Sequence, residues 1–319
     1  TWTDAFKSPI TALNTARWSG GANTEVWVAN GFYEPTTTTD RWISFDVPNK
    51  LHFFGGFEGD ETSIDQRGFN LCYLNGNIGG SGSSDNAYTV LDASLTDSDT
   101  LIDGFRIHNG RNDDGGPSDA NKGGGLRLQG SSAVVRNCNF VDNYASNSGG
   151  AVYSDAGAPT FVDCFFYQNE AFEGSAIHHS GNGMLRMYNC EFADQNGFEG
   201  TVELDNADAM LVGCYFHGNY AGGEGGAVKA AGANSLVTLV NCTIGNNFAG
   251  QDAGGVYVES GADAVIKNSI LWGNESGFGG EVLDQQYAAS GSGSNVTVTT
   301  TTVQGGAGAI GANPMFVDA

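Results

Sequence analysis

The sequence is poor in basic residues, in proline and in long apolar runs. Only 13 lysines and arginines stand against 36 acidic residues, which gives a formal net charge of -23 over 319 residues. Such a charge repels the phosphates of nucleic acids and anionic lipid surfaces, so we expect no nucleic-acid partner. The apolar runs are short, as at 209–212, and none reaches the length of a membrane-spanning helix. We therefore expect no membrane insertion by this chain.

Hydrophobic and aromatic residues are nevertheless abundant enough for a sizeable core. Hydrophobic residues make up 40% of the chain and include 19 Phe and 11 Tyr, which excludes a disordered chain. Glycine is frequent, with 49 residues, but it follows no three-residue period, so collagen is excluded. Residues 1–6 lack the basic and apolar regions of a signal peptide, and we expect the chain to be a mature or trimmed product.

The most informative feature is an internal repeat marked by cysteine. Five cysteines recur at intervals of 24 to 28 residues, each with a large apolar residue two positions later and an amide five positions later. The cysteines are Cys138, Cys164, Cys190, Cys214 and Cys242. The amide residue is asparagine at Asn143, Asn169, Asn219 and Asn247, and only Gln195, with Asn196 next to it, breaks the asparagine column. A unit of about 26 residues with short β-type pieces and no helical periodicity predicts one coil of a parallel β-solenoid.

The repeat continues in both directions from these coils. Upstream, Phe105 stands in the cysteine position of an earlier coil, while Cys72 lies outside the register. Downstream, Ser269 and then Thr301 take the same position. An amphipathic helix over 4–17 would cover the open N-terminal end of the solenoid.

No proline- or serine-rich linker divides the chain, so we predict one domain over 1–319. Its parts are an N-terminal cap with irregular coils over 1–100, regular coils over 101–274, and a closing coil with the C-terminal end over 275–319. Coils that stack at the strand spacing share one continuous core.

The cysteine and asparagine columns have structural explanations. Zinc chelation needs cysteine pairs two to four residues apart, whereas these cysteines are never closer than 24. Vertical disulfides between stacked coils are geometrically possible, but a ladder of free buried thiols is favoured because Phe, Ser and Thr replace Cys in the same column. The amides are predicted to stack and to hydrogen-bond along the solenoid.

One strand of each coil places a column of polar side chains on its outer face. Strand alternation directs Val152 and its equivalents inward and the next residue outward. These outward residues are Arg127, Tyr153, His178, Glu203, Lys229 and Tyr257, and two positions later come Asp155 and Asp205. Beside small residues, they suggest an exposed trough that binds an extended glycan. The favoured interpretation is nevertheless that they are the ordinary polar positions of a solvated sheet.

Catalysis on this sheet is the less favoured interpretation. Glycoside hydrolysis needs two carboxylates at a defined separation. Glu203 and Asp205, two apart on one strand, would stand about 7 Å apart, a separation common in sheets. A lyase acting on acidic sugars needs positive charge, which this chain largely lacks. His179 is predicted to face inward as a core histidine rather than a catalyst.

A calcium ion is a further possibility, although no cofactor is required by the sequence. Asp113, Asp114 and Asp119 crowd a loop inserted over 111–122, and clustered carboxylates are the ligands that Ca²⁺ prefers. The sequence contains no EF-hand pattern and no calcium-binding nonapeptide repeat.

The repeats also resemble a known family. Phe140 and Asn143, followed by Gly-Gly-Ala-Val at 149–152, are similar to the repeat of chlamydial polymorphic outer-membrane proteins and of secreted bacterial proteins of the pectin-lyase-like superfamily. Residues 54–62 and 313–318 resemble the N-terminal and closing segments of the secreted members. The resemblance implies an all-β, right-handed parallel β-helix of about nine to ten coils and export to the bacterial surface or the medium.

This superfamily contains adhesins, structural surface proteins, polysaccharide lyases and glycoside hydrolases, so fold alone does not select a function. We expect an adhesin or a structural or filament component that binds glycans and self-associates. The alternative is a polysaccharide lyase or glycoside hydrolase that uses the same sheet.

Overall fold

The computed structural model of the chain is a right-handed parallel β-helix of about nine turns, as the repeat and the resemblance predict. It describes residues 2–18, 24–68, 72–80, 82–113, 121–279 and 281–305. The predicted closing segment at 313–318 therefore lies outside the described residues. Each regular coil contributes one strand to each of four parallel sheets, which we name A, B, D and C in the order the chain visits them.

Each sheet is built from strands of successive coils. Sheet A contains Thr24–Ala29, Leu51–Phe57, Leu101–Asp103, Val134–Arg136, Thr160–Val162, Met184–Tyr188, Asp208–Val212, Leu236–Val240, Asp263–Lys267 and Asn295–Thr299. Sheet B contains Gly31–Tyr33, Cys72–Asn75, Phe105–His108, Asn139–Val141, Phe165–Tyr167, Glu191–Ala193, Tyr215–His217, Thr243–Gly245, Ile270–Trp272 and Thr302–Val303.

The other two sheets form the side of the solenoid that carries the candidate site. Sheet D contains Arg111–Asn112, Tyr144–Ser148, Glu170–Glu173, Asn196–Glu199, Tyr220–Ala221, Phe248–Ala249 and Glu275–Ser276. Sheet C contains Phe45–Asp46, Leu91–Asp92, Leu126–Gln129, Val152–Asp155, Ile177–Ser180, Val202–Asp205, Val228–Ala231, Val256–Glu259 and Tyr287–Ala289.

Helices occur only towards the two ends of the described chain. Helix α1 spans Pro9–Trp18 and buries Leu13 and Ala16 against the first coils, which confirms the predicted N-terminal cap. Short 3-10 helices span Trp2–Asp4 and Ile64–Gln66, and helix α2 spans Val282–Gln286.

The core is a set of columns because every coil repeats the same inward positions. Phe140, Phe166, Phe192 and Phe216 lie in sheet B with neighbouring ring centroids 4.4 to 4.9 Å apart and nearly parallel planes. The spacing between the rings is close to the distance between adjacent strands, so the rings can stack without any distortion of the strand pairing.

The corner between sheets A and B explains the asparagine or aspartate that precedes four of the five repeat cysteines. Asn137, Asp163 and Asn189 adopt left-handed backbone conformations with φ near 51°. A short polar side chain or glycine tolerates this conformation better than other residues do, because most side chains clash with the following carbonyl. The next residue then enters the core at the start of sheet B.

The cysteine column consists of free, buried thiols, as the favoured prediction requires. Cys138 and Cys242 direct their sulfurs towards backbone carbonyl oxygens of the preceding coil. The prediction that Cys72 lies outside the register is wrong. Cys72 pairs with Phe105, and Phe105 stands in the position of Cys138, so the three residues share one column at equal intervals of 33 residues. Insertions lengthen the early coils without shifting the column.

We expect all six thiols to be unreactive in the native protein. Burial raises the pKa of Cys72 and Cys138 to about 12, so no thiolate is available to attack a disulfide reagent. Titration with a chromogenic aromatic disulfide should detect no thiol in the native protein and six after denaturation in urea. Rapid modification of the native protein would contradict this burial. Protected thiols of this kind are compatible with an oxidising environment.

The amide column forms a continuous hydrogen-bonded ladder at the corner between sheets B and D. The side-chain amide of Asn143 donates to Asn169, and that of Asn169 donates to Gln195. The side-chain amide of Gln195 donates instead to the carbonyl oxygen of Ala193, and its backbone N–H donates to Oδ1 of Asn219, so the ladder passes through the backbone of Gln195 rather than through its side chain. The ladder continues through Asn219, Asn247 and Asn274, each donating along the axis at 2.8 to 2.9 Å, and ends on Gln286 of helix α2. The predicted structural role of the amides is confirmed.

Candidate functional site

The predicted outward column lies on sheet C, but most of it is not exposed. Tyr153, His178, Glu203, Lys229 and Tyr257 are only 4 to 6% accessible. The prediction of an exposed ridge is therefore wrong for these five residues, although their register along sheet C is as expected. The inward partners, such as Val152, are fully buried as predicted.

The chain itself covers this column where it passes from sheet D to sheet C. Gly149, Gly174 and Gly225 have φ between 57° and 68°, and a Cβ atom at Gly149 would lie 2.2 Å from the carbonyl oxygen of Val152. A left-handed glycine thus lets the backbone fold onto the outer face of the next strand. The small residues expected as the floor of a trough, such as Ala151 and Ala176, are buried within this corner.

The covered column contains a network of carboxylates around one ammonium group. The Nζ atom of Lys229 contacts Glu199, lies 3.4 Å from Oε2 of Glu224 and lies 3.2 Å from Oε1 of Glu259. Burial lowers the pKa of Lys229, but the surrounding carboxylates outweigh it and the pKa rises. A fully paired ammonium is what permits this lysine to be almost inaccessible.

Glu203 and His178 lie beside this network of charged groups, but both favour their uncharged forms. Burial and the adjacent Glu199 carboxylate raise the pKa of Glu203 well above its usual range, which favours the protonated acid. Burial, with a smaller effect of Lys122, lowers the pKa of His178 to about 3, so the imidazole is neutral. Nδ1 of His178 and Oε2 of Glu203 are 4.0 Å apart, and neither has a hydrogen-bond partner among the described residues.

Three carboxylates of this site were missed by reasoning from sequence. Glu173, Glu199 and Glu224 each precede a left-handed glycine at the corner, and strand pairing aligns Glu173 with Glu199. The signal was present as a Glu-Gly dipeptide that recurs in three successive coils at 173–174, 199–200 and 224–225.

The remaining candidates on sheet C are accessible but engaged locally. Arg127 is half-buried and donates to the hydroxyl of Thr89, with Asp92 at 3.7 Å. Asp155 accepts a hydrogen bond from Ser180, and the exposed Asp205 accepts one from Asn206. The role of these residues, and of the covered ones, in binding a glycan stays a prediction.

The inserted loop does not present a free carboxylate cluster within the described residues. Asp113 accepts hydrogen bonds from Arg41 at 2.6 Å and from Arg111 at 2.8 Å, and these guanidinium groups outweigh burial to lower its pKa. Asp114 and Asp119 lie outside the described residues. Since both oxygens of Asp113 are already paired with arginine, this residue does not fit a Ca²⁺ ligand. The core histidine His179 is fully buried and contacts Ser154, as predicted.

Sheet D carries exposed aromatic side chains that reasoning from sequence did not single out. Phe172 and Phe198 stack with centroids 4.7 Å apart, although they are 46% and 40% exposed. Tyr220, 47% exposed, stacks on Phe248 at 5.4 Å. Gly222 occupies the position of Phe198 in the next coil, and because it has no side chain, the ring of Phe198 is not covered from that coil. We call these four aromatic residues the aromatic strip.

Comparison with known proteins bears on the fold alone. A family model described as a right handed beta helix region matches residues 150–313, just over half of the chain. No curated protein and no solved structure matches the chain. Among the described residues, no helix combines the length and apolar character needed to cross a membrane.

Proposed function

The chain belongs to the right-handed β-helix family, and on this premise we propose that it is a non-enzymatic surface protein that binds glycans through the aromatic strip. The observation that carries the proposal is the presence of two stacked aromatic pairs on sheet D, three of whose four rings are 40 to 47% exposed. Exposed apolar rings of this size on a soluble surface mark interaction sites. The apolar faces of sugar rings pack against aromatic carbon, while the hydroxyl groups remain solvated.

A location outside the cell, as an adhesin or a structural or filament component, is part of the same proposal. It rests on the resemblance of the repeats to secreted and surface proteins and on the strongly acidic composition. Self-association of the chain belongs to the same proposal. Sedimentation at increasing protein concentration measures this association directly.

Replacing Phe172 and Tyr220 with serine is expected to weaken glycan binding at least tenfold. Each substitution removes aromatic contact area worth on the order of 1 kcal/mol, and both residues are exposed enough to leave folding intact. Binding is measured by glycan array and then by calorimetry on the selected ligand. Tyr215→Ser is the matched control, because Tyr215 is 40% exposed on sheet B, away from the strip. Equal loss in the control, or no binding by the wild-type protein, would refute the proposal.

A second candidate function is hydrolysis or elimination at sheet C. It is favoured by one observation, a carboxyl group of raised pKa at Glu203, because an acid that stays protonated near neutral pH can donate a proton to a leaving group. The corner would have to move aside, because Glu203 is almost inaccessible. Release of reducing ends from a polysaccharide panel, abolished by Glu203→Gln, would establish this function over the first.

A further inference from the structure

Carboxylates flank the aromatic strip at the two ends of one of its rows and along the corner with sheet C. Strand pairing places Glu170 and Glu275 in the same outward row as Tyr220 and Phe248. Both glutamates are exposed, and neither forms an ion pair or a hydrogen bond through its side chain with another described residue. The corner carboxylates are Glu173, Glu199 and Glu224.

The strands of sheet D from Glu170–Glu173 to Glu275–Ser276 carry no lysine or arginine. Within the described residues from 170 to 279, the lysines and arginines are Arg186, Lys229 and Lys267. Arg186 and Lys267 lie on sheet A, and Lys229 is 4% exposed and already surrounded by three carboxylates. The field above the strip is therefore negative, and it adds to the net charge of the whole chain.

We propose that the glycan bound by the aromatic strip carries protonated amino groups, as an oligomer of glucosamine does. This inference rests on the proposed glycan-binding function and names its ligand class. Sugar rings would pack on Phe172, Phe198 and Tyr220, while their ammonium groups meet Glu170, Glu275 and the corner carboxylates. An ammonium group is attracted both by carboxylate oxygens and by aromatic rings, so the two features of the strip act on one chemical group.

The test compares three oligosaccharides of equal length by calorimetry with the full chain. They are glucosamine hexamer, N-acetylglucosamine hexamer and galacturonic acid hexamer, at mildly acidic pH where the amines are protonated. We expect the glucosamine hexamer to bind most tightly, to weaken as salt is added, and the galacturonic acid hexamer not to bind. The double variant Glu170→Gln/Glu275→Gln should weaken the glucosamine hexamer about fivefold and leave the acetylated hexamer unchanged.

A matched variant separates a local effect from net charge. Glu34→Gln/Asp263→Asn removes two exposed carboxylates outside sheet D, since Glu34 follows the first strand of sheet B and Asp263 lies on sheet A, and it should not change affinity. Equal loss in this variant would overturn the inference. If the acetylated hexamer binds as tightly as glucosamine and both are lost in Phe172→Ser, the glycan-binding function stands and the inference is wrong. If no oligosaccharide binds, both are wrong.

Discussion

Replacing Lys229 with methionine is expected to lower the free energy of unfolding by about 3–5 kcal/mol. The substitution leaves Glu199, Glu224 and Glu259 close together without the ammonium group that they share. Partly buried carboxylates repel each other and cannot be fully hydrated at this corner. The measurement is equilibrium unfolding in urea followed by circular dichroism, since guanidinium chloride would screen the charges.

Glu203→Gln is the matched control for this prediction. Glu203 lies in the same column, next to Lys229 in strand pairing, and its raised pKa favours an uncharged carboxyl group. The amide has nearly the same shape and charge, so we expect a change below about 1 kcal/mol. If Lys229→Met costs no more than Glu203→Gln, the ammonium is not what holds this corner together.

Asn219→Ala is expected to lower the free energy of unfolding by about 3–5 kcal/mol, because it interrupts the amide ladder at its centre. The amide of Asn219 donates to the carbonyl oxygen of Phe192 and to Asn247, and it accepts from the backbone of Gln195. Alanine leaves these buried groups without partners at a site too enclosed for bulk water. Urea unfolding and hydrogen exchange at Gln195 report the loss.

The control for the ladder is Asn196→Ala, one residue beyond Gln195. Asn196 is exposed on sheet D, and its backbone amide still pairs with Asn169. We expect this change to stay within about 0.5 kcal/mol. Comparable destabilisation by the two asparagine substitutions would show that the ladder contributes little beyond strand propensity.

The columns were predictable because stacking imposes the same environment on every coil. When a cysteine or an asparagine recurs at the same position of successive coils, it lies one strand away from an identical residue. Cys138 and Asn143 could therefore be assigned to buried ladders from their spacing alone. Cys72 escaped this reasoning because insertions of unequal sequence lengthen the first coils, and only strand pairing reveals its register.

The candidate site was less predictable, for a related reason. Alternation shows whether His178 points into its own sheet or away from it, but it does not show what lies above. The cover comes from the preceding strand of the same coil and depends on a left-handed turn at Gly174. A side chain that points away from sheet C, such as that of His178, is therefore not necessarily exposed to solvent. The exposed side chains, such as that of Phe172, lie on the neighbouring sheet D.

The solenoid, the period of its coils and the identity of the core columns can be read from the sequence, because they follow from repetition and local chemistry. Which surface is available to a ligand depends on how the segments of each coil fold over one another. A corner of a few residues folds Glu173 and Glu199 over sheet C and leaves the aromatic strip of sheet D open to solvent. Accessibility depends on contacts between segments that do not share a repeat position, and periodicity carries no information about such contacts.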